Sequence, residues 1–332
     1  MKKRINLMMI LQNRIVSLGA INFIVIIVSS LIWSNSFATI ANAQSVALNM
    51  AVNAIVCIGM LVVLAAGGID LSVGAVVALS GALCANLMMH HNVPMVIAII
   101  VALAVAGLVG VVNGILIAVV GVNPMIVTLS MQGLIRGIAM LIAGSGITNL
   151  PSVFTGLVGW KIGGFRAPVF YMIILCAIYS FLVAKTKFFR RFYYIGGNEK
   201  AAQLSGINVI QTNVLGYVNS ALLAGLAGII QVARMGAAVS SIGEGIEMTA
   251  ITACVLGGAS LTGGYGTVLG AAFGVLFTSL VDNIMIMGRV ASSWQDIVVG
   301  IILIVAVSTD VIIKRNRIRI KNKTKEKEKK YG

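Results

Sequence analysis

An aspartate stands in the middle of a long apolar run, in the stretch LAAGGIDLSVGAVVALSG at residues 64–81. Ionisable side chains in such runs are where chemistry is expected first, because each costs about 2.5 to 3.5 kcal/mol to place in a bilayer. The candidates are Asp70, Arg136 and Asp282, and nearer the ends of the runs Glu247, Arg234, Asp296 and Asp310. So small a set disfavours a proton-driven carrier and provides no ring of like charges for an ion channel.

Two glycines before Asp70 predict that the run is two helices with a break between them. Gly67 and Gly68 can end the first helix, since glycine accepts the left-handed closing conformation. Asp70 or Ser72 can then cap a second helix that begins near Val73, because their oxygens accept from free N–H groups at the positive end of the helix dipole. Direct contact of Asp70 with a polar solute and an ion pair are the alternatives.

A weak internal repeat links two parts of the chain. GGIDLSVG at 67–74 and GGASLTGG at 257–264 both follow an apolar run and match in their glycines and polar positions. Transporters are often built from repeats whose broken helices form the central site. The repeat predicts a second break, with four candidate residues: Gly257, Gly258, Ser260 and Thr262. Chance similarity in a glycine-rich chain is the alternative.

Uncharged amide side chains are more numerous than ionisable ones inside the apolar runs. They are Asn49, Asn53, Asn86, Asn113, Asn123, Gln132, Asn219, Gln231 and Asn283. Amides both donate and accept, so the set suits a path for a neutral, hydroxyl-rich solute better than one for an ion. For each single amide, hydrogen bonding between helices, worth about 0.6 kcal/mol, is the simpler interpretation. Beside the two breaks, we expect Asn113 and Asn123 along a translocation path.

Signatures of catalysis and cofactor binding are absent from the sequence. It has no G-x-x-x-x-G-K-[ST] phosphate loop, no G-x-S-x-G elbow, no H-E-x-x-H motif and no G-x-G-x-x-G opening a helix after a strand. The cysteines lie far apart in apolar runs and the two histidines are adjacent, so no metal site is expected. These residues are Cys57, Cys84, Cys176, Cys254, His90 and His91. We expect no enzyme activity, no cofactor and no metal in this chain.

The composition identifies a membrane protein. Of 332 residues, 59% are hydrophobic and 10% are charged, whereas about a quarter of a soluble domain is charged. A span needs roughly 20 mainly apolar residues. We predict spans near 15–34, 46–66, 71–89, 94–120, 124–143, 168–184, 212–234, 247–262, 264–287 and 294–313. The fold class expected is an all-α polytopic membrane protein of about ten helices, some of them discontinuous.

Basic residues predict the topology. The net charge is +15, and 19 of the 24 lysines and arginines lie in three segments. Positive charge beside spans marks the cytoplasmic side and attracts anionic lipid, so it does not indicate nucleic acid here. We predict a cytoplasmic N-terminus at 1–14, a transmembrane domain at 15–313 with a cytoplasmic loop at 185–211, and a basic cytoplasmic tail at 314–332. Both termini then lie on the same side of the membrane.

The cytoplasmic loop contains a short helix signal, FYYIGGNEKAAQLSGIN at 192–208. Asn198 is a good N-cap, Glu199 suits the first turn, and Gly206 stops the helix. Leu204 and the two alanines give an apolar side. A helix of two turns is not stable alone, so we expect a partner protein to receive it; a surface helix resting on the bilayer is the alternative.

Four ordered motifs carry a resemblance to a known family. They are AAGGIDLSVGAVVALSG, NGILIAVVGVNPMIVTLSM from Asn113, YYIGGNEKAAQLSGINV, and AITACVLGGASLTGGYGTVLGAAFG from Ala250. In this order they resemble the membrane permease subunits of bacterial ABC importers for monosaccharides, of the ribose-permease type. The resemblance runs from about residue 45 to 310. It covers neither the N-terminal stretch 1–40 nor the lysine-rich tail, which we expect to be a disordered extension facing lipid.

The resemblance implies a homodimer in the bacterial plasma membrane, a separate ABC ATPase subunit, and a periplasmic or lipid-anchored sugar-binding protein. It implies that the segment from Gly196 to Gly206 couples the permease to the ATPase. The candidate coupling residues are Gly196, Gly197, Asn198, Glu199, Leu204 and Gly206. The solute would pass along the axis shared by the two copies, and no residue here indicates which sugar.

Two other classes of protein remain as alternatives. One is a secondary carrier that acts alone on an ion gradient and moves a neutral polar solute. The other is a non-transporting membrane scaffold or lipid-binding protein. Dependence of uptake on an ATPase separates the importer from the carrier, and the effect of reversing the charge at Glu199 separates it from the scaffold.

Overall fold

The structure is a computed structural model that describes residues 14–291, 294–295 and 297–308. Within these ranges, eight helices are long and apolar enough to cross a membrane. They are α1 (Arg14–Ile32), α2 (Ile40–Ala65), α3 (Val73–His90), α4 (Met95–Ala118), α5 (Pro124–Ala143), α7 (Ala167–Lys185), α10 (Val209–Met235) and α12 (Val268–Met287). The prediction of an all-α polytopic membrane protein is confirmed.

Shorter elements complete the described chain. Two apolar helices, α11 (Ile246–Leu256) and α13 (Ile297–Ser308), fall in runs that were predicted to span the membrane at 247–262 and 294–313. Between the long helices lie α6 (Ser152–Gly159), the antiparallel pair β1 (Lys161–Ile162) and β2 (Phe165–Arg166), α8 (Lys187–Gly197) and α9 (Glu199–Leu204). With 11 residues, α11 is about 16 Å long. That is about half the hydrocarbon thickness.

Helix α10 lies at the centre of the bundle and packs against α2, α3 and α4. The neighbouring helices approach α10 closely at glycine positions. At Gly110 on α4, for example, an added Cβ would lie 2.6 Å from the Cα of Val218. Lipid supplies no hydrophobic drive between helices, so close backbone approach through small residues holds them together. We call the end of the bundle that carries α8 and α9 the basic end, after Lys187, Arg190 and Arg191.

Candidate functional site

The first helix break, between α2 and α3, lies where the sequence predicts it. Helix α2 ends at Ala65, Gly67 has φ +87°, and the Gly68 N–H donates back to the Val63 carbonyl at 3.0 Å. The Asp70 side chain is 1% exposed. Its Oδ1 accepts from the Ser72 N–H at 3.1 Å and from the Ser72 hydroxyl at 2.6 Å. Asp70 therefore stabilises the turn that leads into α3, whereas Ser72, the N-cap residue of α3, makes no side-chain capping hydrogen bond.

Asn113 on α4 extends this buried polar network. Its Nδ2 donates to the Ser72 hydroxyl at 2.9 Å, and the Tyr217 hydroxyl donates to the Ile69 carbonyl at 3.4 Å. The second carboxylate oxygen of Asp70 and the amide oxygen of Asn113 have no hydrogen-bond partner among the described residues. The network thus joins three helices and keeps two unused acceptors.

Asn123, the other asparagine predicted to lie along the path, is not part of this network. It caps α5, where its Oδ1 accepts from the Met125 N–H at 2.9 Å. The structure therefore brings Asp70, Ser72 and Asn113 together and leaves Asn123 outside that network. Their contact with solute remains a prediction.

The second break, between α11 and α12, repeats the first with one residue fewer. Gly258 has φ +93°, and the Ala259 N–H donates to the Cys254 carbonyl at 2.8 Å, as Gly68 does to Val63. Ser260 then takes the part of Asp70: its hydroxyl accepts from the Thr262 N–H at 3.2 Å and lies 2.9 Å from the Thr262 hydroxyl. The second break has one residue fewer between its left-handed glycine, Gly258, and its polar turn at Ser260. The two breaks therefore share their residue chemistry but differ in spacing.

The helix after the second break is capped further along. Helix α12 begins at Val268, where the Thr267 hydroxyl accepts from the Gly270 N–H at 3.1 Å. Ser260 and Thr262 therefore form the turn within the break and do not cap the next helix. The loop 257–267 separates α11 from α12.

The two breaks contact each other at the basic end. The Gly264 N–H donates to the Ala65 carbonyl at 2.9 Å. Gly263, with φ +83°, lies so close that an added Cβ would be 2.9 Å from the Gly67 nitrogen. The same Cβ would be 2.6 Å from the Cα of Gly196, the penultimate residue of α8. The candidate coupling segment therefore packs directly on the junction of both breaks.

Helices α8 and α9 form a short pair beneath this junction. Phe189, Phe192 and Ile195 bury one face of α8, while Asn198 caps α9 by accepting from the Ala201 N–H at 3.0 Å. Gly206, with φ +83°, ends α9, as the sequence predicts. Leu204 is 91% exposed. The pair thus presents an exposed apolar side chain at the basic end.

A groove of about 710 Å³ separates α8 from α9. Lys187, Arg190 and Arg191 lie on one side of it, and Ala201 and Ser205 lie on the other. Burial raises the pKa of the Tyr193 hydroxyl, which also lines the groove, to about 12. The tyrosine is therefore neutral at physiological pH, and the basic side chains supply the positive charge of the groove.

Residues 236–245 are not helical and turn back into the bundle. After α10 ends at Gly236, Ala238 forms a β-bridge with Ile147. An added Cβ at Gly243 would be 3.0 Å from the Val77 side chain, and one at Gly228 would be 3.0 Å from the Val77 Cα. Because Gly228 lies about two turns before the end of α10, Gly243 lies about 10 Å inside that end. We call 236–245 the re-entrant segment.

Arg136 on α5 holds the re-entrant segment. Its Nη1 donates to the carbonyl oxygens of Ser240 and Ile242, at 2.6 and 2.7 Å. Non-helical backbone at membrane depth needs such partners, because hydrocarbon offers none. The half-buried arginine therefore satisfies backbone carbonyls that no helix pairs.

Glu247 lies in the first turn of α11, directly after the re-entrant segment, and is 6% exposed. Its Oε1 accepts from the Gln132 Nε2 at 2.9 Å, and its position suits the positive end of the helix dipole. Two side chains of α5, Arg136 and Gln132, thus fix the place where α11 begins.

A cavity of about 730 Å³ lies on the other side of the re-entrant segment from α5, between α2, α10, α12 and α13. Its floor is the start of α11. Six of its polar lining residues are Asn49, Asn53, Gln231, Arg234, Glu244 and Asp282. Arg234 donates to the Leu48 carbonyl at 3.2 Å and to the Asn49 amide oxygen at 3.0 Å. Two of the ionisable residues singled out in the sequence, Arg234 and Asp282, therefore line one polar space.

Two of the four cysteines lie close together in the buried core. The thiols of Cys57 on α2 and Cys254 on α11 lie 3.3 Å apart, although 197 residues separate them in sequence. Within the described ranges, no group of three His, Cys, Asp or Glu side chains could hold a metal ion. Asp296, Asp310, the N-terminal stretch 1–13 and the basic tail lie outside the described residues.

One family model spans all of these features. The model described as "Branched-chain amino acid transport system / permease component" matches residues 42–307, which include both breaks, the re-entrant segment and α8–α9. The chain belongs to this family. It is a multi-pass permease of the bacterial plasma membrane.

Curated relatives cover almost the whole permease. It is 39% identical over 304 residues to the ribose import permease protein RbsC of Escherichia coli (strain K12), covering 89% of this chain and 92% of the relative. RbsC of Bacillus subtilis (strain 168) is 38% identical over 292 residues, with coverages of 87% and 90%. The D-allose transport system permease protein AlsC of Escherichia coli (strain K12) is 32% identical over 297 residues, with coverages of 88% and 91%. No solved structure matches the permease.

Sequence reasoning missed the re-entrant segment, Glu244 and helix α8. The signal for the segment was present in Gly236, Gly243 and Gly245, all of which have positive φ. The signal for α8 was the alternation of basic and aromatic residues in KFFRRFYYIGG. Neither segment is a long apolar run, so hydropathy alone predicts a loop for both.

Proposed function

We propose that the permease is the membrane subunit of an ATP-driven ABC importer for a monosaccharide, ribose or a related sugar. The names of its relatives, ribose import permease and D-allose transport system permease, support this class of solute. The sparse ionisable residues and numerous amides inside the bundle support a neutral, hydroxyl-rich solute. Which sugar is carried depends on the binding protein that delivers it.

The single observation that carries the coupling is the contact of Gly196 with both helix breaks. Movement of α8 must displace Ala65 and Gly263, because the backbones touch and no side chain lies between them to absorb the shift. Packed elements of this kind move as rigid bodies. ATP binding on a partner that holds α9 would therefore reach α2, α3, α11 and α12 together.

The surface of α8 and α9 suits a protein partner. Asn198 and Gly206 fix the helix ends, Glu199 and Lys200 are exposed, and Leu204 offers an apolar side chain to a pocket. In this proposal Gly196, Gly197, Asn198, Glu199, Leu204 and Gly206 form the ATPase-docking element. The separate ATPase subunit hydrolyses ATP, and the permease has no enzyme activity of its own.

The remaining organisation follows from charge. The basic end faces the cytoplasm, in agreement with the positive-inside rule, so that both termini and residues 185–211 are cytoplasmic. The transmembrane domain covers 15–313, and the tail 314–332 contacts anionic lipid. Two copies pair around a shared axis, and the sugar passes between outward-open and inward-open states. In this proposal the breaks at Gly67–Ser72 and Gly257–Ser260 border the path, with Asn113 behind the first.

The test is sugar uptake into proteoliposomes containing the permease, the ATPase encoded beside it and the neighbouring binding protein. We expect uptake of D-ribose or a related sugar that requires ATP inside the vesicle. Uptake without the ATPase that disappears when an ion gradient collapses would instead establish a secondary carrier. Absence of uptake of ribose, allose and arabinose with all three components would contradict the proposal.

A further inference from the structure

We propose that the cavity between α2, α10, α12 and α13 binds one molecule of the transported sugar within each copy of the permease. The inference rests on the proposed function, which supplies the class of solute. It concerns a binding site inside the permease itself, separate from the two helix breaks and from α8–α9.

The position of the cavity suits a solute in transit. Its walls include Asn49 and Asn53 toward the middle of α2, and Gln231 and Arg234 near the end of α10 that is opposite the basic end. Its floor is formed by the start of α11, which lies at the depth of Gly243. A molecule on this floor has therefore entered the membrane from the side opposite α8 and α9 and has stopped above the half-length helix α11.

The size of the cavity, about 730 Å³, lies within the range of small-molecule sites. Such sites measure roughly 300 to 1,000 Å³. A single sugar fills only part of that space, so ordered water would share it. A partly filled cavity is expected for a transport site, which must release its sugar instead of retaining it.

Amide and charged side chains line the cavity at a depth where hydrocarbon would be unfavourable for them. Polar residues at membrane depth face water or protein, never lipid. Asn53, Gln231 and Glu244 therefore border a water-filled space or the surface of a second copy. In a water-filled space, a hydrophilic solute can reach them.

One lining atom has an unfilled hydrogen-bonding capacity. The Oε1 of Gln231 is buried and has no hydrogen-bond partner among the described residues. An unpaired buried acceptor is unfavourable, and rotation of the Gln231 amide toward the cavity would let a sugar hydroxyl satisfy it. Since amides also donate, Gln231 and Asn53 can each bond to two adjacent hydroxyls of a sugar ring.

Glu244 is held at the cavity by its neighbours. Gly243 and Gly245 have φ of +80° and +75°, conformations that residues with a Cβ rarely adopt. Gly243 also lies against α3, where an added Cβ would be 2.5 Å from the Gly74 carbonyl oxygen. These two glycines fix the backbone on both sides of the carboxylate, which can accept from two hydroxyls at once.

The charges of the lining nearly balance, which favours a neutral solute. Arg234, Glu244 and Asp282 all line the same cavity. An inorganic cation would meet the guanidinium and an anion would meet two carboxylates. A sugar uses both as hydrogen-bonding groups without requiring either to lose its charge partner.

The first test is D-ribose uptake per ATP hydrolysed by Gln231→Leu and Glu244→Gln in the three-component proteoliposomes. Gln211→Leu is the matched control, since Gln211 is exposed on the same helix at the basic end. We expect each cavity variant to lower sugar delivered per ATP by about tenfold, the effect of one lost hydrogen bond to a charged or buried group. Gln211→Leu should match the unmodified permease.

The second test measures occupancy directly and does not depend on those variants folding. Asn53→Cys is placed in a permease whose four native cysteines are replaced, and labelling of the introduced thiol by a membrane-impermeant maleimide is timed. D-Ribose at millimolar concentration should slow labelling at least threefold, while L-leucine should leave the rate unchanged. A purely structural role for the cavity would give no protection by either solute.

The outcomes separate this inference from the proposed function. If the unmodified permease imports no sugar, the proposed function fails. If it imports sugar while the thiol of Asn53→Cys is not protected and the cavity variants equal Gln211→Leu, the function stands and the cavity is not the site. Protection by leucine but not by ribose would overturn the sugar assignment of the cavity.

Discussion

The Gly264 N–H donates a hydrogen bond of 2.9 Å to the carbonyl oxygen of Ala65, and this bond ties the two helix breaks of the permease together. Gly196 of α8 packs against the same pair of residues. Three segments far apart in sequence thus share one contact at the basic end. A substitution at Gly196 tests this contact.

Gly196→Ala should destabilise the permease, because its Cβ would collide with the Ala65 carbonyl and lie 2.5 Å from the Gly264 nitrogen. Overpacking of this kind costs about 1 to 3 kcal/mol. Gly197→Ala is the matched control, since an added Cβ there meets nothing within 4 Å. Thermal unfolding of the detergent-solubilised permease measures both; equal unfolding temperatures would contradict the packing of Gly196.

Asp70→Leu should impair folding or membrane insertion, while Asp70→Asn should preserve most of both. The asparagine oxygen can still accept from the N–H and hydroxyl of Ser72, whereas leucine leaves both donors buried without a partner. Each unpaired buried donor costs about 1 to 3 kcal/mol. Yield of folded permease in the membrane and sugar uptake are the measurements, and mild, equal effects of both variants would count against the role of Asp70 in the turn.

Leu204→Glu should weaken binding of the ATPase by about tenfold or more without changing the stability of the permease. Leu204 is 91% exposed, so the change disturbs no internal packing, while a charge in an apolar partner pocket is unfavourable. Val153→Glu on α6 is the control, because Val153 is also exposed but lies in a different helix. Co-purification of the ATPase with each variant is the measurement.

Glu199→Arg should uncouple ATP hydrolysis from uptake. The substitution reverses the charge in the first turn of α9, where a carboxylate suits the helix dipole and the partner surface. We expect ATPase activity that no longer rises with the sugar-loaded binding protein. Normal sugar uptake by this variant would show that α9 is not the coupling element.

Arg136→Met should loosen the re-entrant segment, because two carbonyls, of Ser240 and Ile242, lose their charged donor. The expected loss of stability is about 3 kcal/mol or more. Amide hydrogen exchange of residues 236–245 should accelerate, while exchange in α8 should not. Arg136→Lys retains the charge but lacks the planar guanidinium that donates to both carbonyls. We therefore expect its exchange rate to lie between those of the unmodified permease and Arg136→Met.

Local patterns predicted local structure well. The break at Gly67, the turn at Asp70 and the cap at Asn198 each depend on hydrogen bonds that span a few residues, and such bonds follow from residue type. Helix α5 occupies 124–143, the range predicted for it, because Asn123 and Pro124 mark its start so clearly. Short-range chemistry is legible in a single sequence.

Contacts between distant segments were not predictable from these patterns. Arg136 bonds to carbonyls 104 and 106 residues away, and Gly196 packs on Ala65. Nothing in the composition of either segment specifies its partner. The span expected at 247–262 begins as predicted but ends early, at Leu256, because Gly258 takes a left-handed conformation and Ser260 and Thr262 form a turn after it. The apolar run indicated only that the region is buried.

The short length of α11 changes how far a solute must be driven. A molecule resting on its first turn lies about 10 Å inside the end of α10, and it reaches that depth by diffusion through water. The step that remains is the length of one helix of 11 residues, about 16 Å. Each ATP-driven stroke would then need to open a barrier only half as thick as the bilayer, and the insulation against leakage of ions would reside in that same thin layer.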